Sequence, residues 1–143
     1  MSGDRRPLLG IAVVSGAAAL LYQTVWLREF GLLFGNTAYA ASATLSAFFL
    51  GLALGALLVG RLSGRVHRPL VLYAGIEIGA AALALVFPLV LRLYDPIYAE
   101  LYGSFADRRP VFVAVKFALA FAAMLPAATL LGGTLPPLVS AYL

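Results

Sequence analysis

Residues 38–59 read AYAASATLSAFFLGLALGALLV, 22 consecutive positions without one charged side chain. At 1.5 Å rise per residue a helix of that length reaches about 33 Å, and a bilayer's hydrocarbon core is about 30 Å thick. An open sheet edge cannot face lipid, so the stretch is expected to cross a membrane as a helix. Within it Ala43, Ala47, Gly51 and Gly55 recur every four residues. That spacing lays small residues along one side of the helix, where a second backbone can approach closely. The strip serves packing either inside this chain or between subunits.

The rest of the chain repeats the same physics. Of its 143 residues 63% are hydrophobic and only 11% are charged, far from the balance of a soluble domain. Segments 8–27, 70–91 and 111–131 are also long and apolar enough to span. As helices the first two spans are expected to occupy about 8–34 and 38–60. Segment 8–27 is too long for the apolar region of a removable leader and is read as a permanent span. The class is therefore all-α, an integral membrane bundle of four transmembrane helices forming a single domain over 1–143. Gly75 and Gly79 offer a second small-residue strip on the third segment. Between the third and fourth, Asp95 caps and Pro96 opens a short segment in which Tyr94, Ile97, Tyr98, Leu101, Tyr102 and Phe105 share a face. This predicts a short amphipathic helix over about 96–106, lying in the interface; a partner-binding tyrosine face is the alternative.

Arginine placement sets the expected orientation. Arg61, Arg65 and Arg68 crowd one short connection, and short basic connections stay on the cytoplasmic side. Both termini and this turn are accordingly placed in the cytoplasm of a multi-pass protein of the cell membrane. Without cysteine there is no disulfide, no thiolate metal ligand and no thiol nucleophile. His67 stands alone, so no metal site and no cofactor are expected.

Charged side chains near lipid are the candidates for function, because burying one costs at least about 2.5 kcal/mol. Glu77 lies two turns inside the third segment and is either a protonatable or cation-binding carboxylate or a hydrogen-bonded packing residue. Ser15, Tyr22, Gln23 and Thr44 are its candidate partners. Lys116 sits near enough to the start of the fourth segment for its stem to reach outward. Tyr22, Trp26, Glu29 and Leu33 recur on one face of the first segment, next to Arg28. Either Tyr22 and Trp26 form an interfacial belt with Arg28 and Glu29 surfacing, or the helix runs on to Phe34 and turns a Trp–Glu face into the bundle. In the second case Arg28 and Glu29 point about 100° apart and cannot pair.

The series SGAAALLYQTVWLREFGLLFGNTAYA, AFFLGLALGALLVGRLSGRVHRPLVLYAGIEIG and LPAATLLGGTLPPL resembles the N-terminal membrane region of the fused spermidine synthase-like membrane proteins. Their Tyr-acid-x-x-Trp-x-Arg pattern is matched by Tyr22, Trp26 and Arg28, with Gln23 where an acid is common. The resemblance implies a membrane bundle followed by an aminopropyltransferase-like domain, and no such nucleotide-fold unit is present in these residues. The same region looks like the major facilitator superfamily: Gly60, Leu62, Arg65 and Arg68 match its cytoplasmic turn, while Gly64 and His67 replace an acid and a glycine. No enzymatic activity is expected of the chain by itself. Three functions follow as expectations. The first is a non-catalytic membrane subunit packing against partner helices. The second is part of a transporter for a small cation or polyamine, and the third is an anchor for a separately encoded spermidine synthase-like enzyme. The expected partners are the lipid bilayer, other membrane subunits or a second copy, and no nucleic acid. The uncharged tail 132–143, broken by Gly132-Gly133 and Pro136-Pro137, is expected to dock against another subunit or a second copy of the chain.

Overall fold

A computed structural model of the chain describes residues 6–34, 38–105 and 108–142. They form five helices: α1 Arg6–Phe34, α2 Ala38–Ser63, α3 Pro69–Phe105, α4 Arg109–Gly132 and α5 Leu135–Tyr142. No strand occurs among the described residues. Four of the helices are long and apolar enough to cross a membrane, which makes this a multi-pass membrane protein. Their outer surface is hydrocarbon: Leu85, for example, is 82% exposed. Five of the hydroxyls on these helices are satisfied locally, as suits a lipid environment. Thr24, Thr44, Ser46, Ser63 and Thr129 each donate to the carbonyl four residues earlier.

The closest packing joins α2 to α4. A methyl group on Gly51 would strike Ala128 Cβ, and one on Gly55 would overlap the Thr129 carbonyl and come within 2.7 Å of the Gly133 nitrogen. From the other side, a methyl on Gly132 would run into the backbone of Leu52. The strip on α2 is thus consumed within this chain, against the equally small residues of α4. On α3, Gly79 faces Leu130 of α4, while Gly75 borders open space and makes no close helix contact. The expected second strip is therefore reduced to one residue.

Trp26 is 2% exposed and sits at the centre of the bundle, which corrects the interfacial-belt reading. Its ring packs on Phe48 of α2 and Phe87 of α3, with centroids 6.1 and 5.5 Å away, and Tyr22 stacks on it at 6.0 Å. Phe30, also buried, meets Phe87 edge-on at 5.7 Å. α1 continues through Arg28 and Glu29 to Phe34 because Trp26 and Phe30, one turn apart, both gain ring contacts by staying on the helix.

Two further expectations change. The segment 96–106 is not a separate interfacial helix: α3 runs unbroken through Pro88 and Pro96 to Phe105. Of its 37 residues, 25 make up the apolar span Pro69–Leu93, so the remaining 12 project about 18 Å beyond it. Proline removes only one intrahelical hydrogen bond, and the turns on either side carry the helix past it. The side chains of Tyr94, Asp95, Tyr98, Leu101, Tyr102 and Phe105, like that of Lys116, lie outside the described residues, as do Gly35, Asn36, Thr37 and Asp107.

The tail is the second change. Gly133 ends α4, its N–H donating to the carbonyls of Thr129 and Leu130 at 3.1 and 2.9 Å, and Thr134 Oγ1 donates to the Leu131 carbonyl. Pro136 and Pro137 then stand in the first turn of α5, where a missing N–H costs nothing, so they begin a helix instead of breaking one. Pro137 and Leu138 are buried, and α5 packs against α3, α2 and α1 of its own chain. It closes the end of the bundle at which α1 begins and α2 ends.

Candidate functional site

α1 and α3 run in the same direction and meet through side-chain contacts. In the middle of this seam the rings of Trp26, Phe30 and Phe87 form a plug. On either side of the plug the seam opens, and each opening contains charge.

On the α5 side, Ser15 is nine residues from the start of α1 and Glu77 eight from the start of α3. Parallel helices therefore bring them to the same depth, about 12–14 Å in. Ser15 Oγ donates to Glu77 Oε1, and so does Tyr73 Oη, at 2.8 Å. Ser15 thereby departs from Thr24, Thr44, Ser46, Ser63 and Thr129, which bond within their own helices. Glu77 Oε2 accepts no hydrogen bond from the described residues. The carboxylate lies in a groove of about 410 Å³ whose flanks include the exposed Ile11 and Val14. Behind it, Ser15 and Tyr73 also line a cavity of about 380 Å³ reaching Leu52 on α2 and Thr134 and Leu138 beyond α4. The two hydroxyls therefore stand between an apolar interior cavity and a flanking groove that holds the acid. A half-buried carboxylate with one oxygen held by two donors and the other free can accept a proton or hydrogen bonds from a cation.

Among the sequence candidates for contact with Glu77, Ser15 is the one brought to it. Tyr22 stacks on Trp26, buried Thr44 donates to the Ala40 carbonyl, and Gln23 is half-buried away from the acid. Tyr73, the second donor, lies outside the sequence candidates, although it precedes Glu77 by four residues, the spacing that places two side chains together on a helix. On the other side of the plug, Glu29 and Arg92 line a common recess, while Arg28 is exposed. Arg61, Arg65, Arg68 and His67 are exposed around the connection between α2 and α3. No cluster of three or more metal-ligating side chains occurs among the described residues. No family model, curated protein or solved structure matches the chain.

Proposed function

We propose that this chain is a non-catalytic helical module of a membrane that binds a small organic cation at Glu77. The observation supporting the reading is the convergence of Ser15 and Tyr73 on one carboxylate oxygen, which fixes an acid that lines a groove and leaves Oε2 without a donor among the described residues. A bilayer penalises an ionised acid, and a bound cation relieves that penalty. An amine cation would donate to Oε2, and the apolar groove wall would cover its methylene groups. The resemblance to the spermidine synthase-like membrane region makes polyamines the first compounds to try. Labelled putrescine should bind saturably to the protein in nanodiscs, and Glu77→Gln should weaken binding at least about ten-fold, equivalent to 1.4 kcal/mol. Equal binding by both proteins would overturn the reading.

A specific feature also favours the role of a subunit that packs against partner helices: the most apolar stretch of α1 contains no buried residue. Lipid or a neighbouring helix must cover it. Cross-linking from cysteines at Val13 and Leu20 would distinguish the two, a protein adduct supporting the subunit role.

A further inference from the structure

The seam's second opening is a recess of about 400 Å³ between the α1 and α3 segments on the far side of the aromatic plug from Glu77. It contains one acid and one base, Glu29 from α1 and Arg92 from α3. Their side chains share the recess yet form no hydrogen bond or ion pair with each other or with any described residue. Two opposite charges facing one space without meeting are complementary to a ligand that carries both signs.

Helix geometry fixes the depth of this pair. Glu29 stands 14 residues beyond Ser15 and Arg92 stands 15 beyond Glu77, about 21 and 22 Å along parallel helices. Arg92 is the penultimate residue of the apolar span Pro69–Leu93, and Glu29 lies five residues before the end of α1. Both charges thus sit where hydrocarbon gives way to lipid headgroups. The walls around them are apolar and open sideways: Val25 is 51% and Leu32 73% exposed, opposite Pro88 and Leu91. Buried Phe87, packed on Trp26 and Phe30, closes the floor and separates the recess from the Glu77 groove.

A ligand that fits carries a cation and an anion at headgroup depth and hydrocarbon beneath them. We infer that the recess between Glu29 and Arg92 binds the headgroup of phosphatidylethanolamine. Arg92 offers a planar guanidinium suited to the phosphate oxygens. Glu29 accepts hydrogen bonds from the primary ammonium. A choline headgroup has no N–H to give, and a glycerol headgroup leaves Glu29 without a cation, so ethanolamine is selected over both. The acyl chains continue along Val25 and Leu32. Nothing in this assignment depends on what Glu77 binds.

The test is native mass spectrometry of the full chain released from nanodiscs containing phosphatidylethanolamine, phosphatidylcholine and phosphatidylglycerol with identical acyl chains in equal amounts. The wild type should retain the ethanolamine lipid about five-fold over the choline lipid. Glu29→Gln should abolish that preference, Arg92→Gln should lower retention of all three lipids, and Glu77→Gln should leave the preference intact. A preference that survives Glu29→Gln, or equal retention by the wild type, would overturn the assignment. Should a variant fail to fold, the wild type alone still decides. Retention should fall stepwise as the ethanolamine nitrogen is methylated once, twice and three times, and a flat series would refute the role of the ammonium. Displacement of the lipid by soluble phosphoethanolamine at matched concentration would refute a lipid ligand.

Discussion

Trp26 illustrates what a single residue contributes here. In lipid the helices gain no hydrophobic free energy by meeting each other, so the contacts of its ring with Phe48, Phe87 and Tyr22 are direct dispersion contacts that tails would fill poorly. Trp26→Ala should destabilise the bundle by about 3 kcal/mol, the lower end for removing a buried tryptophan, as measured by reversible unfolding in mixed micelles. A cost below about 1 kcal/mol would mean that the ring is not a packing centre. The hydrogen bond from Tyr73 to Glu77 belongs to a weaker class: Tyr73→Phe should cost only about 0.6 kcal/mol, the average for such bonds inside membranes. If the cation reading is right, the same substitution should weaken putrescine binding measurably, because Oε1 loses one of the donors that orient the acid.

Among the elements, the pairing of α2 with α4 carries the closest approach, and glycine makes it possible. Gly133 has φ −76°, a conformation open to any residue, so its value lies in the space a side chain would take: a methyl there would sit 2.6 Å from Val59 Cγ2. Gly55→Ala should therefore cost at least about 2 kcal/mol, within the range for overpacking. Gly75→Ala, facing open space on a helix of the same kind, should be neutral or stabilising by up to about 1 kcal/mol. Thermal unfolding of the two variants side by side gives the comparison, and equal losses would remove the α2–α4 seam from its central place. α5 is stabilised by the same economy of contacts. Its buried Pro137 and Leu138 fill the end of the bundle, so truncation after Leu135 should lower the melting temperature of the isolated chain, without any partner present.

For the whole molecule, the decisive quantity is which side of the membrane each connection occupies. The absence of cysteine makes this directly measurable, since an introduced thiol has no background. Gly64→Cys lies in the exposed basic connection and Ser104→Cys near the exposed end of α3, about 18 Å beyond the apolar span. An impermeant maleimide should label them from opposite faces, Gly64→Cys from the cytoplasmic one, where basic connections are retained. Labelling of both from one face would contradict an odd number of crossings between them.

Read alone, the sequence establishes that this protein is all-helical and carries four stretches long and apolar enough to cross a membrane. Those follow from the length of uncharged runs against a fixed hydrocarbon thickness, and neither quantity depends on neighbours. It also determined that Gly51 and Gly55 lie on one side of α2 and that Glu77 stands at a costly depth. Which way those faces look depends on how the helices pack. A four-residue spacing places Trp26 on a stripe of α1 but is identical for a stripe turned to headgroups and one turned to Phe48 and Phe87. Asp95-Pro96 is an equally good start for a new helix and a tolerable interior point of an old one, and continuity through α3 settled it. Pairings between helices are furthest from the sequence, because residues such as Ser15 and Glu77, or Glu29 and Arg92, are separated by more than sixty positions and reach a common site only when α1 and α3 stand parallel at matched depth.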